Sequence, residues 1–263
     1  MSDATLVERR EGLVTVTFNR PHRKNAISAE IWQDLEQILT EVELDPGVRA
    51  LVLTGAEGDF SSGADLAGDA KAGITGRGLQ PIVHEMRVVG RILSRLQKLP
   101  KPTIAAVDGV AVGVALGMAM ACDLVVATDR ARFTEVFVKR GLALDGGTSW
   151  SLPHAIGLRR AKQMAFFGDT IDAATALQWG LINEVVPPEE LAATVEAWGA
   201  RLAQGPTTAI SLIKTMLDAG VTSSFDDAVE AEARAQHITD TTDDLKEGFR
   251  AWMERRDPRF TGT

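Results

Sequence analysis

The chain has 263 residues, 45% of them hydrophobic and 24% charged, with a formal net charge of -8. That is enough apolar material for one large domain, or for a core with a smaller appendage, and an acidic balance without a lysine- or arginine-rich run argues against nucleic acid or an anionic membrane as partner. A single cysteine, Cys122, rules out an intramolecular disulfide and a cysteine-based zinc site.

The opening MSDATLVERREG carries acids and lacks the apolar core of a signal peptide, so a cytoplasmic location is expected. Leu13 to Phe18 alternates β-branched residues up to Asn19-Arg20-Pro21 and reads as a strand running into a loop. Ser28 is placed to cap a helix whose Ile31, Leu35, Ile38, Leu39 and Val42 recur at helical spacing. Asp45-Pro46-Gly47 stops it. Arg49 to Thr54 is an apolar run of strand length, followed by a glycine-rich loop from Gly55 to Gly63 and an irregular polar stretch to about Gln80. Ile82 to Leu99 reads as a helix stopped by Pro100 and Pro102.

Thr103 to Val107 has the composition of a buried strand, Val112 to Met120 that of a small-residue helix, and Leu124 to Ala127 that of another strand. Aspartates 108 and 123 and several glycines break this region, so it is not a membrane span. Short apolar strands alternating with helices imply an α/β layer architecture with a mostly buried parallel sheet. Beyond Leu202 the pattern is helical only: one helix from Pro206, another from Ser224 to Ile238, a third from Thr242 to Arg255. The expected organisation is an α/β core over residues 1–202 and a helical region over 203–263 that packs on the core or mediates assembly.

Two segments have the makings of chemistry. One is the run from Gly58 to Leu66, after the RALVLTG strand; the other runs from Val107 to Gly117, a strand entering a helix through small residues. Both present backbone N–H groups beyond the carboxyl end of a strand, and at a helix start those donors have no intrahelical partner. Two such donors aimed at one point form an oxyanion hole. The glycines do not fit a phosphate loop of the G-x-x-x-x-G-K-[ST] or G-x-G-x-x-G kind. Nor is there a G-x-S-x-G elbow to activate Ser61 or Ser62.

Five segments in order carry a resemblance over nearly the whole chain: NRPHRKNAIS, FSSGADL, KPTIAAVDGVAVGVALGMAMACDLVVA, GLALDGGTSWSLPHAIG and ERRDPRF. Together they resemble the crotonase (enoyl-CoA hydratase/isomerase) superfamily. The resemblance implies an α/β fold, a crotonase-like spiral of repeated ββα units with a C-terminal helical region. It implies an acyl-CoA thioester as substrate, with coenzyme A entering only as part of that substrate and no metal. It further implies assembly as a homotrimer or a dimer of trimers.

By the same resemblance the oxyanion donors are the amides of Ala64 and Val114, with valine standing where relatives usually have glycine. Coenzyme A is expected along Arg23, Lys24 and Ala26 and beside Ser62, Gly63, Asp65 and Leu66. Trp252 and Arg255 match positions where relatives bring an aromatic and a cation to the nucleotide, although Leu245, Phe249 and Trp252 also share one helix face, as packing residues do. Hydratases of the family activate water with two glutamates; here Gly117 and Phe137 occupy those positions, and Ala67 replaces a basic residue.

Asp145 matches a position that serves as base or nucleophile in isomerase and dehalogenase relatives, and Leu142 and Leu144 are expected to raise its pKa. Its bland alternative is a cap for the helix starting near Gly147. Glu135 is a second acid, expected to share a strand face with Phe137. The reading favoured is isomerisation of an enoyl-CoA through an enolate, with Asp145 as acid/base. The alternatives are a hydratase using Glu135 or Asp145, and a non-catalytic acyl-CoA-binding protein.

Overall fold

The computed structural model describes residues 2–66 and 79–263, with the side chains of 79–81 outside that description. Strands β1 (Thr5–Arg10), β2 (Leu13–Phe18), β3 (Ala50–Gly55), β4 (Thr103–Val107), β6 (Leu124–Thr128) and β9 (Glu184–Val186) form one sheet in the order β1-β2-β3-β4-β6-β9. Only the β1/β2 pair is antiparallel. A second sheet holds the three-residue strands β5 (Val110–Val112), β7 (Arg132–Thr134) and β8 (Thr170–Asp172).

Successive turns of chain place a long strand in the first sheet and a short one in the second, then return through a helix. β4 and β5 lead to α3 (Val114–Met120), and β6 and β7 lead to α4 (Thr148–Ile156). This is the ββα spiral that the motifs imply. Isolated bridges carry the second sheet beyond β5, pairing Ser61 with Ala111 and Ile27 with Ala64. The loop after β3 is thereby built into a strand layer rather than left free.

The long strands are buried on both faces, which is why they read as unbroken apolar runs. Leu51, Leu53, Ala105 and Val107 face the larger core with α1 (Ala29–Leu44) and α2 (Leu79–Gln97). Val52, Ile104, Ala106 and Val126 face a smaller one closed by Leu191 and Val195 of α7 (Leu191–Ala203). Each large side chain so buried contributes roughly 1.5–3 kcal/mol. Ser28 caps α1 by accepting the Ile31 amide proton, and Ile31, Leu35, Ile38, Leu39 and Val42 form its buried face, as the spacing requires.

Helices α5 (Leu158–Phe167) and α6 (Ala173–Trp179) complete the core, and α8 (Thr207–Gly220), α9 (Phe225–Thr239) and α10 (Asp243–Glu254) come after it. Arg49 ties the last segment back, donating to Thr207 Oγ1 (2.9 Å), to the Phe260 carbonyl (3.1 Å) and to the Gly205 carbonyl. Lys214 on α8 pairs with Asp123 at 3.0 Å, and Asp123 also accepts from the Thr103 amide (2.7 Å), an ordering role for an acid beside the sheet. No helix among the described residues is long and apolar enough to cross a membrane.

Candidate active site

The loop after β3 is clamped from two sides. Buried Asn25 donates to the carbonyls of Ala56 (2.8 Å) and Asp59 (2.6 Å). Asp65 binds Arg20 (2.7 Å) and Arg23 (3.1 Å), while the Ile27 amide donates to Gly63 O and the Asp65 amide to Ile27 O. On the other side the Ser61 amide donates to Val110 O (2.9 Å) and the Val112 amide donates back to Ser61 O (3.2 Å). Gly63 makes the close approach possible. Its φ is 92°, and a Cβ there would lie 2.6 Å from the Val112 carbonyl oxygen. With its neighbours all engaged, the Ala64 amide donates to no acceptor among the described residues.

Val112 belongs to β5, so the helix begins two residues later than its small residues suggest. Gly113, at φ 57°, turns the chain and donates to Thr134 O (2.9 Å). The helix opens at Val114, whose amide has no acceptor among the described residues, as expected of a first-turn donor. The Val114 side chain is buried against Gly146. Ala64 and Val114 thus come directly after segments that are hydrogen-bonded to each other.

The loop from Gly141 to Gly147 brings Asp145 to this place. Its side chain does not cap α4: the cap position is Gly147, and it is the Asp145 backbone carbonyl that accepts from the Thr148 amide (3.2 Å) and hydroxyl (2.8 Å). The carboxyl is left over. Asp145 Oδ1 is buried without a partner, and burial pushes the group up to about 6. Leu142, expected to help bury it, is 54% exposed.

Glu135 departs further from expectation. β7 ends at Thr134 and a 3-10 helix runs from Val136 to Arg140, so strand alternation does not place Glu135 beside Phe137. Glu135 is instead 0% exposed, with neither carboxyl oxygen partnered. Burial first, and then the nearby Asp145 charge, push it up to about 8, with the Thr148 hydroxyl acting weakly the other way. Two carboxyls are thus raised by burial, Glu135 more than the half-buried Asp145, a feature that periodicity does not reveal.

The two positions where hydratases have glutamates carry no acid. Phe137 is buried with its ring against Gly113. Gly117 packs directly on Gly146: a Cβ at 117 would fall 3.0 Å from the Gly146 Cα and closer still to its carbonyl oxygen. Gly117, Gly146 and Gly147 open into a cavity of about 640 Å³ that runs past Met120 and Trp150 toward Leu93 and Lys214.

The outer residues are more dispersed. Arg23 is engaged with Asp65, Lys24 lies 3.3 Å from Asp59, Ala26 is buried, the Ser62 hydroxyl donates to Arg23 O, and Leu66 is exposed. Trp252 is 78% exposed, so packing within the chain does not account for it. With Leu245, Phe249 and Phe260 it lines a separate cavity of about 500 Å³, and exposed Arg255 stands at the end of α10. Ala67 lies outside the described residues, as does most of the stretch toward Gln80. Burial pushes the Cys122 thiol up to about 12, which leaves it inert. No three His, Cys, Asp or Glu side chains among the described residues gather as metal ligands.

A family model described as enoyl-CoA hydratase/isomerase matches residues 8–263. The 1,2-epoxyphenylacetyl-CoA isomerase of Escherichia coli is 36% identical, covering all of both chains. The trans-2-decenoyl-[acyl-carrier-protein] isomerase of Streptococcus mutans is 32% identical over 95% of each. Among solved structures, an enoyl-CoA hydratase from Bacillus anthracis superimposes with a TM-score of 0.93 at 27% identity, covering 99% of this chain and all of the other.

Proposed function

The chain belongs to the enoyl-CoA hydratase/isomerase family, and from that premise we propose that it isomerises the double bond of an enoyl-CoA thioester through an enolate. The thioester oxygen sits between the Ala64 and Val114 amides. Negative charge that develops on it meets two fixed donors, each worth roughly 2.7–4 kcal/mol of barrier. Asp145, ionised at neutral pH because its raised pKa is about 6, removes the proton next to the thioester carbonyl. The enolate extends over the neighbouring double bond, and the carboxyl returns the proton at its far carbon. One group doing both steps needs a pKa near the working pH, so that neither transfer is steeply uphill.

The observation that carries this reading is the unpartnered Oδ1 of Asp145, next in the chain to the Gly146 that packs on Val114 and Gly117, at a position where relatives place a base. The acyl group occupies the cavity along Met120 and Trp150. Coenzyme A lies across Arg23, Lys24 and Ala26 and beside Ser62 and Asp65; the ion pairs of Arg23 and Lys24 are partly or largely exposed and cost little to exchange for phosphate. Exposed apolar residues on the helical tail, Leu217, Phe225 and Trp252 among them, fit assembly through that region, as a homotrimer or a dimer of trimers.

Hydration is the second reading, favoured by the presence of two carboxyls, the buried Glu135 and the half-buried Asp145, to hold a water. The experiment is a paired assay. A 3-enoyl-CoA should gain the absorbance of the conjugated enone, while crotonyl-CoA should keep it. Loss of the crotonyl-CoA absorbance at a comparable rate would replace isomerisation by hydration. Thioester binding with no exchange of the α-proton in heavy water would replace both by a non-catalytic binder.

A further inference from the structure

Most buried carboxyls in proteins are held by hydrogen bonds or cations, because an unpartnered one costs several kcal/mol to keep charged. Neither Glu135 oxygen has a cation or a well-formed hydrogen bond, although no part of it reaches solvent; the nearby Thr148 hydroxyl, which favours the charged form, is spent on the Asp145 carbonyl (2.8 Å). Among the titratable groups of the described elements around it, only Asp145 acts on it. Lys139 and Arg140 on the adjoining 3-10 helix, Lys162 on α5, and Asp169 and Asp172 beyond α5 are all exposed, and Lys139 is paired with Asp169 at 3.6 Å. Asp145 and Glu135 are joined through α4: Thr148 gives its hydroxyl proton to the Asp145 carbonyl and sits beside the Glu135 carboxyl.

We propose that Glu135 and Asp145 form an electrostatically coupled carboxyl pair that keeps one proton, in which Glu135 carries the proton and Asp145 is left ionised as the base. The inference rests on the isomerase reading and gives its base a partner. A second negative charge beside a carboxyl sealed from water is unfavourable, so the pair keeps a single proton across the neutral range. The surroundings decide which member keeps it. Glu135 is sealed in, whereas Asp145 lies on the glycine loop that borders the substrate cavity. Glu135 is therefore a positioning residue acting through Asp145. When it ionises, a thioester must be closed over two anions, and binding weakens.

The test is a pH titration of protein carrying ¹³C-labelled Asp and Glu carboxyls, monitored by NMR, on wild type, Glu135→Gln and Asp145→Asn. Wild type should show one raised transition near 6 and another near 8. Glu135→Gln should lose the upper one. Asp145→Asn should lose the lower one and move the upper one down, a coupling that a merely space-filling glutamate would not show. A Glu135 titration in the ordinary carboxylate range, or one unmoved by Asp145→Asn, overturns the pair. In turnover, kcat/KM of wild type should fall above about pH 8, while Glu135→Gln keeps its activity there; an alkaline limb that survives the substitution overturns the link to catalysis. The NMR arms need no turnover, so an enzyme inactive on every enoyl-CoA would sink the isomerase reading while the titration still decides the pair.

Discussion

Two corners of one site differ in what they can hold. Around Gly117 and Phe137 there is no acid, and backbone packed on backbone leaves no room for a side chain at 117. Around Glu135 and Asp145, a fully buried carboxyl has neither oxygen partnered and a half-buried one leaves its Oδ1 without a partner. The first corner has not merely lost the glutamates of a hydratase; the loop carrying Asp145 fills the space that one of them would need. The two features are linked, since the Gly146 that closes the first corner is the chain neighbour of Asp145, the proposed base, in the second. In the proposed mechanism the acid/base group belongs to the second corner, while the oxyanion donors remain the amides of Ala64 and Val114.

That contrast is broken most sharply at Asp145. Asp145→Asn should lower kcat by about 10²–10⁴ with thioester affinity unchanged, measured by single-turnover kinetics against calorimetry. Equal turnover would remove the second corner from the chemistry. Glu135 comes next, through stability. Its carboxyl ionises at 4.5 in an unfolded reference and at about 8 here. Between those values the unfolded chain has released a proton that the folded one keeps, so stability falls as pH rises through the window and is level beyond it, by up to about 4–5 kcal/mol. Glu135→Gln removes that decline, so urea unfolding should find the variant gaining on wild type between pH 5 and 8.5. A constant difference would mean that the carboxyl is not buried as described.

Restoring an acid to the first corner should fail. Gly117→Glu should cost about 1–3 kcal/mol or more of stability, read by thermal unfolding, and confer no hydration of crotonyl-CoA; a stable and hydrating variant would show that the corner was only vacant. The smallest effect is expected at Val114. Its contribution is a backbone amide, so Val114→Ala should change kcat only a few-fold. A loss as large as that of Asp145→Asn would mean the side chain, not the amide, matters.

Much of the frame is legible in the sequence because the long strands and α1 bury enough residues to leave a period. β5, β7, β8 and β9 have three residues each, too few to show alternation. The helix start at Val114 is hidden because Val112, still in a strand, is as apolar as the residues beyond it. Asp145 is visible as an acid after a Gly-Leu run, but its cap alternative falls only once Gly147 is seen at the cap position. Glu135 is hard to weigh from the sequence because alternation cannot show that the strand gives way to a 3-10 helix at that point. The closure at Gly117 depends on contact with Gly146, 29 positions on, and no local pattern reports such a distance.

In the proposed mechanism two amides, those of Ala64 and Val114, meet one thioester oxygen. A crystal structure with a non-reactive enoyl-CoA analogue bound would test it directly. The thioester oxygen should lie about 2.7–3.1 Å from the nitrogens of both Ala64 and Val114, with the α-carbon facing the Asp145 carboxyl. A thioester bound elsewhere, or touching only one of the two amides, would contradict the account.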